Sequence, residues 1–174
     1  LRPRPAHDSP RSLLLVEVVD ARGHDDALLA RAARPGRTRG AALDLLGRLR
    51  DNPGAPGAVL SRGLRRAKHL HSAERRLVGD GVREVLRHQE VLDRALGVTD
   101  DEARWLGWLV GRGLSPDTAH QERPDLPFEA VTDLEAAAEE LTSDLDAVDA
   151  LAVRGSRHKA RARARVTSLG AEAA

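Results

Sequence analysis

Basic side chains recur at helical spacing over residues 62–94, and their chemistry suits the binding of RNA phosphates. On a helix with about 100° per residue, four of them fall on one face, opposite the apolar face. We call these four the basic stripe: Arg76, Arg83, Arg87 and Arg94. We call the group that precedes them the basic cluster: Arg62, Arg65, Arg66 and Lys68. A guanidinium is always charged and donates two parallel hydrogen bonds to phosphate oxygens, so both groups are candidate RNA-binding residues.

A second interpretation of the basic stripe stays open. Asp80, Glu84 and Glu90 lie close to its arginines in the helical repeat, so the same residues could form a solvated, salt-bridged helix face. Among the 28 Lys and Arg of the chain only Lys68 and Lys159 are lysines, as in a protein from a GC-rich genome. The arginine count alone therefore does not indicate nucleic acid. Arg87 has a further alternative role, which is to hold a neighbouring helix end or carboxylate.

Sites for other chemistry are weakly supported. Cysteine is absent, which excludes disulfides, thiolate metal sites and cysteine nucleophiles. The pair His69 and His71 has no third metal ligand in view. Trp105 and Trp108 are candidates for base stacking only if one of them is exposed. The three aspartates that come closest to a calcium loop lack its glycine and its closing glutamate: Asp144, Asp146 and Asp149. We therefore expect no metal and no cofactor in this chain.

The elements that carry the basic residues are predicted to be helices. The first shows an apolar face at i, i+3, i+4 and i+7, formed by Ala42, Leu45, Leu46 and Leu49. A short helix over 58–68 carries the basic cluster. Ser72 is the expected N-cap of a long third helix, which carries the basic stripe. Its predicted inward residues are Leu77, Val78, Val82, Val85, Leu86, Gln89, Leu92 and Leu96.

Further helices are predicted towards the C-terminus. Thr99 and Glu102 form a capping box ahead of a helix that ends at Val110. Residues 115–125 are predicted to be a polar loop, and Pro127 begins a fifth helix. Thr142 or Ser143 caps a sixth. Since no segment alternates with a period of two, the predicted fold is all-α, a compact bundle of about five to seven helices.

Charge divides the chain into blocks. Residues 1–98 carry a net charge of +7, residues 99–153 a net charge of −11, and residues 154–174 a net charge of +5. Either the blocks meet different partners, or the acidic block packs on the basic half. We expect residues 1–37 to be a leader, residues 38–153 a helical domain, and residues 154–174 a basic linker.

The N-terminal region shows no export or membrane signal. Glu17 and Asp20 interrupt the apolar stretch that a signal peptide needs, and no apolar run approaches the length of a membrane span. We therefore expect a cytoplasmic protein with no membrane partner. The chain begins at Leu1 without methionine, from which we expect a fragment of a longer protein.

One segment resembles a known family. Glu74-Arg75-Arg76-Leu77-Val78, followed by Val85-Leu86-Arg87 and Leu92-Asp93, resembles the core helix of NusB-like domains. These domains form the N-terminal part of bacterial RsmB/Sun-type methyltransferases, which methylate carbon 5 of a cytosine in ribosomal RNA with S-adenosylmethionine. The resemblance covers residues 38–174. The chain departs from the family at Arg83 and Glu84, where many relatives have an aromatic residue followed by glycine, and at Gly81, where a large apolar residue is usual.

The resemblance implies a NusB-like RNA-binding domain whose partner is structured, ribosomal RNA. A downstream methyltransferase domain would bind S-adenosylmethionine and carry out the chemistry. This chain shows neither a cysteine nucleophile nor a glycine-rich cofactor loop, so we expect it not to be the enzyme itself. The alternative is a standalone NusB-like antitermination factor, which would bind a partner protein through the acidic helices at 127–153.

Overall fold

The computed structural model describes residues 25–143, and every regular element within them is helical. This confirms the all-α fold class. The first helix, α1, covers residues 25–33. The others are α2 (Arg37–Asp51), α3 (Pro56–Arg66), α4 (Ser72–Arg87), α5 (Gln89–Leu96), α6 (Asp101–Gly111), α7 (Pro116–His120), a 3₁₀ helix (Phe128–Val131) and α8 (Leu134–Thr142).

The helix that we predicted from Ser72 to Leu96 is divided in two. The chain bends at His88, whose φ of −104° and ψ of 15° lie outside the helical range, and α5 begins at the next residue. The predicted core residues on both sides of the bend are correct in part, since Val82, Val85 and Leu92 are buried. The bend allows α5 to pack against α6 and α8, which a straight helix would pass by.

The region after Gly111 also differs from the prediction. The expected polar loop at 115–125 contains the short helix α7. The helix expected from Pro127 is interrupted, because Asp133 caps a separate α8 by accepting hydrogen bonds from the backbone N–H groups of Glu135 and Ala136. These divisions explain why the described residues hold more helices than the five to seven expected for the whole chain.

Two helix starts lie one residue away from their predicted positions. Asp100, and not Thr99, is the N-cap of α6, and its carboxylate accepts a hydrogen bond of 2.7 Å from the N–H of Ala103. His71, and not Ser72, is the N-cap of α4, and its N–H donates to the Glu74 carboxylate at 2.9 Å. Thr and Asp both favour the N-cap, so propensity alone does not decide the register of α6. At α4 the bond from the His71 N–H to Glu74 fixes the start of the helix, although Ser is the better N-cap residue.

The core contains two tryptophans whose rings lie against each other with their planes tilted by 35°. Trp105 is fully buried and Trp108 nearly so, with ring centroids 5.1 Å apart. A Cβ atom on Gly81 would lie 2.5 Å from a carbon of each ring. Only glycine leaves room for both rings beside α4. Because neither tryptophan is exposed, neither is available to stack on a base.

The core also includes α1. Leu29, Ala32 and Ala33 are buried in it, and the indole N–H of Trp105 donates to the carbonyl of Ala32 at 3.0 Å. The folded part of the chain therefore extends into the segment 1–37 that the sequence suggested as a leader.

Candidate nucleic-acid interface

The basic stripe is exposed to solvent, as its position opposite the apolar face predicts. Arg76, Arg83 and Arg87 lie on α4, whereas Arg94 lies on α5 beyond the bend at His88. We predicted one long helix for the whole stripe, and this prediction is wrong. The bend divides the stripe into a group of three arginines and a single arginine.

Carboxylates form ion pairs with three of the four arginines of the basic stripe. Arg83 pairs with Asp80 at 2.9 Å. The pair Arg87–Glu84 measures 3.3 Å, and the pair Arg94–Glu90 measures 3.8 Å. All three pairs join residues three or four apart on one helix, which is the salt-bridged helix face that the sequence left open. Within the described residues, Arg76 alone in the stripe has no ion pair.

Arg87 does not join two helices. Its side chain is 66% exposed, and its ion pair is with Glu84 of the same helix. Joining elements is instead the role of two buried arginines that sequence reasoning missed, Arg39 and Arg104. Arg104 pairs with Asp93 at 2.6 Å and with Asp101 at 2.8 Å, which holds α5 against α6. The hydrogen bond to Asp93, more than the opposing effect of burial, raises the pKa of Arg104 further above its ordinary value.

The basic cluster has a different environment. All four of its side chains are exposed, and none has a carboxylate partner among residues 25–143. Arg65 donates to the hydroxyl of Ser61 at 2.8 Å, which orients its guanidinium without neutralising it. Arg65 and Arg66 lie in the last turn of α3, where positive charge is also favoured by the helix dipole. Lys68 lies just beyond the end of α3, because this helix stops at Arg66 and not at residue 68 as predicted. The cluster thus presents positive charge that no carboxylate among the described residues compensates, on α3 and just after it.

Close packing holds α3 in place. Leu60 is buried, and a Cβ atom on Gly63 would lie 2.2 Å from a methyl carbon of Leu45 on α2. A larger residue at this position would have to displace the end of the Leu45 side chain, so glycine allows α3 and α2 to lie close together. On its other side, the guanidinium of Arg75 donates to the carbonyls of Ala67 and Leu70, at 3.4 Å and 3.0 Å. These bonds fix the connection from α3 to α4.

Glu74 joins α4 to the start of α2. It is 3% exposed and accepts a hydrogen bond of 3.0 Å from Arg37 in addition to the bond from the N–H of His71. Burial opposes the charge on this carboxylate, but the two hydrogen-bond donors outweigh burial, and the pKa of Glu74 lies below its ordinary value. The sequence singled out Glu74 only as part of the family segment, and its contact with Arg37 could not be seen from spacing.

Grooves run along both sides of α3. The groove between α2 and α3 has a volume of about 410 Å³, and its basic residues are Arg37, Arg48, Arg66 and His69. The groove between α3 and α4 has a volume of about 350 Å³, and its basic residues are Arg65, Arg75 and Arg83. Asp44 is the one carboxylate among the described residues that line either groove.

Within residues 99–143, which the structure describes, the acidic block has two main parts. Its first part pairs with the basic half, since Glu102 and Glu122 both form ion pairs with Arg39, and Asp101 pairs with Arg50 at 2.8 Å. Its second part lies on α8, away from α3, because α8 packs against α5 and the 3₁₀ helix. Three carboxylates of α8 are exposed and have no ion pair among residues 25–143: Glu135, Glu139 and Glu140.

The other candidate sites from the sequence are either incomplete in the described residues or lie outside them. His69 and His71 are both exposed, and no group of three possible metal ligands occurs in the described part of the chain. Asp144, Asp146 and Asp149 and the basic segment 154–174 lie outside the described residues. None of the described helices is long and apolar enough to cross a bilayer.

Comparison with protein-family models, with curated proteins and with solved structures finds no match for this chain.

Proposed function

We propose that this chain is an RNA-binding module that holds the phosphate backbone of a structured RNA against the basic cluster on α3. The observation that carries this proposal is the set of four exposed cations, none of which has a carboxylate partner among residues 25–143. Phosphate contacts position a protein on nucleic acid, and each one releases bound counterions. An arginine that already pairs with a carboxylate gains less from a phosphate, because it must give up that pair.

The family segment supports a more specific context for this module. On that resemblance, the RNA is ribosomal, the compartment is the cytoplasm, and the module precedes the catalytic domain of an S-adenosylmethionine-dependent cytosine-C5 methyltransferase. In such an arrangement this chain binds and orients the RNA. The cofactor and the reacting cysteine belong to the downstream domain.

Two triple variants of equal charge test the proposal. R62Q/R65Q/R66Q removes three positive charges from the basic cluster, and R83Q/R87Q/R94Q removes three from the basic stripe. Binding of each protein to a labelled ribosomal-RNA hairpin is measured by fluorescence anisotropy across a salt series. Each lost phosphate contact reduces the slope of log affinity against log salt by about 0.7–0.9. We expect a reduction of about two for the cluster variant and of less than about one for the stripe variant.

The matched charge makes the comparison decisive. If general attraction alone binds the RNA, the two variants lose equal affinity, because both proteins carry the same net charge. A larger loss of RNA affinity for the stripe variant would show that the interface lies on α4 and α5 instead. Far-ultraviolet circular dichroism confirms that both variants keep the helical content of the wild type.

The acidic face of α8 favours a second candidate function, which is binding of a partner protein. Exposed Glu135, Glu139 and Glu140 would pair with a basic surface on such a partner, as in the antitermination-type alternative. The same anisotropy experiment separates the two functions. Absence of RNA binding by the wild type at low salt would favour the protein-binding function.

A further inference from the structure

Helix α3 forms a ridge with positive charge on both of its sides. Arg65 lines the groove towards α4, and the next residue, Arg66, lines the groove towards α2. Consecutive residues on a helix differ by about 100° in direction, so this pair directs one guanidinium to each side. Arg62 continues the second side, where it lines a smaller cleft of about 170 Å³ with Arg48 and Arg66.

The groove towards α4 contains a guanidinium that is already fixed in place. One terminal nitrogen of Arg75 donates to two backbone carbonyls, and the side chain has no carboxylate partner among residues 25–143. A fixed guanidinium loses little conformational entropy when it binds a phosphate. With Arg65 beside it, this groove offers two cations that no carboxylate neutralises.

The groove towards α2 has a similar capacity with a different composition. Arg37 and Arg48 are paired with Glu74 and Asp44, so the uncompensated charge on this side comes from Arg66, together with Arg62 in the adjoining cleft. Each side of α3 therefore carries two cations without carboxylate partners among the described residues. Cations on both sides of one helix suit two phosphate backbones better than a single backbone.

The aromatic side chains lie elsewhere. The chain has two tryptophans, one phenylalanine and no tyrosine, and all three rings are buried in the core: Trp105, Trp108 and Phe128. Proteins that hold single-stranded RNA commonly stack its bases on exposed rings of these types. The imidazole of exposed His69, in the groove towards α2, is a further ring of the stacking type beside the cluster. Recognition by the basic cluster therefore depends chiefly on charge and on the shape of the backbone.

From these observations we infer that the basic cluster binds an A-form RNA duplex, with α3 across its minor groove and one phosphate backbone along each side of the helix. The minor groove of A-form RNA is wide and shallow, and proteins recognise duplex RNA by its shape and by contacts across this groove. A helix with its side chains is about 10–12 Å across, so its two sides are far enough apart to reach separate strands. This inference rests on the proposed function and names its substrate class.

The test compares RNA forms and the two sides of α3. The full chain is titrated into a labelled RNA duplex of about 16 base pairs, into each separated strand, and into a DNA duplex of the same sequence. The variants are Arg65→Gln, Arg66→Gln and the double variant, with Arg94→Gln as an exposed control. We expect duplex RNA to bind roughly tenfold more tightly than either strand or the DNA duplex.

The two sides should contribute equally. Each single variant should weaken duplex binding by roughly threefold to tenfold and reduce the salt slope by about 0.7–0.9. The fold loss of duplex affinity in the double variant should equal the product of the two single losses. Arg94→Gln should lose less affinity than either single variant. Single-stranded RNA that binds as tightly as the duplex, or a loss confined to one of the two variants, would overturn the inference while the proposed function stands. No binding to any RNA would contradict the proposed function, and this inference with it.

Discussion

The basic cluster on α3 and the basic stripe on α4 and α5 are neighbours with the same number of cations, yet their environments differ. Both groups are exposed. Three of the four stripe arginines pair with a carboxylate on their own helix, whereas no member of the cluster has such a partner among residues 25–143. Local compensation, and not the number of basic residues, therefore distinguishes a candidate phosphate-binding surface from a solvated helix face.

The sequence of each helix explains the difference. Helix α3 contains no aspartate or glutamate, so its arginines have no acidic neighbour one turn away. Helix α4 contains Glu74, Asp80 and Glu84, of which Asp80 and Glu84 each stand three residues before an arginine. A count of carboxylates at i±3 and i±4 would have ranked the cluster above the stripe before the structure was known.

Replacing a buried arginine should lower the stability of the fold far more than replacing an exposed arginine of the basic stripe. Arg104→Gln leaves Asp93 without its ion pair and Asp101 with Arg50 alone, and we expect the free energy of unfolding to fall by about 3 kcal/mol. Arg94→Gln removes an exposed pair and should cost less than about 0.5 kcal/mol. Urea denaturation followed by circular dichroism measures both values. Equal losses would show that Arg104 is not a structural arginine.

Acidification provides the second test, because Glu74 connects α4 to the N-terminal end of α2 near both surfaces. Its pKa in the folded protein lies below the ordinary value of 4.5, so the unfolded chain takes up the proton first. The stability that ionised Glu74 contributes is complete above that ordinary pKa and is lost as the pH falls through the folded value.

We therefore expect Glu74→Gln to lower stability at neutral pH and to flatten the fall in stability between about pH 4.5 and the acid-unfolded state. Urea denaturation at a series of pH values measures this dependence. Other carboxylates also titrate in this range, so the informative quantity is the difference between the two proteins. Parallel curves for wild type and Glu74→Gln would mean that this carboxylate does not link α2 to α4.

The smallest expected effect comes from making the stripe resemble the cluster. D80N/E84Q frees Arg83 and Arg87 from their ion pairs, and we expect RNA affinity to rise by roughly twofold to fivefold. E135Q/E139Q removes the same charge from α8 and serves as the matched control, with a smaller rise. If both variants gain equally, net charge and not local pairing governs the attraction.

Sequence patterns predicted much of what depends on neighbours along the chain. The apolar spacing located the buried face of α2, the position of α3 and the exposure of both basic groups. The ion pairs of the stripe followed from residues three and four apart. These predictions are correct because each depends on distances between residues of a single helix, which the helical geometry fixes.

Features that depend on distant residues were missed. Arg39 lies 83 residues from Glu122, so nothing in the local pattern marks it as a buried arginine. The bend at His88 divides an apolar repeat that continues without interruption in the sequence, because α5 gains contacts with α6 and α8. The glycine at position 81 is explained only by the two tryptophans that it faces, more than 20 residues further along the chain.

Giving the cluster the carboxylates that it lacks tests whether local ion pairing governs RNA binding. In A58E/S61E each new glutamate stands four residues before an arginine of α3, which is the favourable order for an ion pair with Arg62 or Arg65. A130E/A136E adds the same charge at exposed positions near α8. Both proteins are titrated with the ribosomal-RNA hairpin across a salt series. We predict that A58E/S61E loses affinity by roughly tenfold or more with a salt slope lower by about one to two, while A130E/A136E changes little. An equal loss of RNA affinity in the two proteins would show that net charge, and not local ion pairing, governs binding.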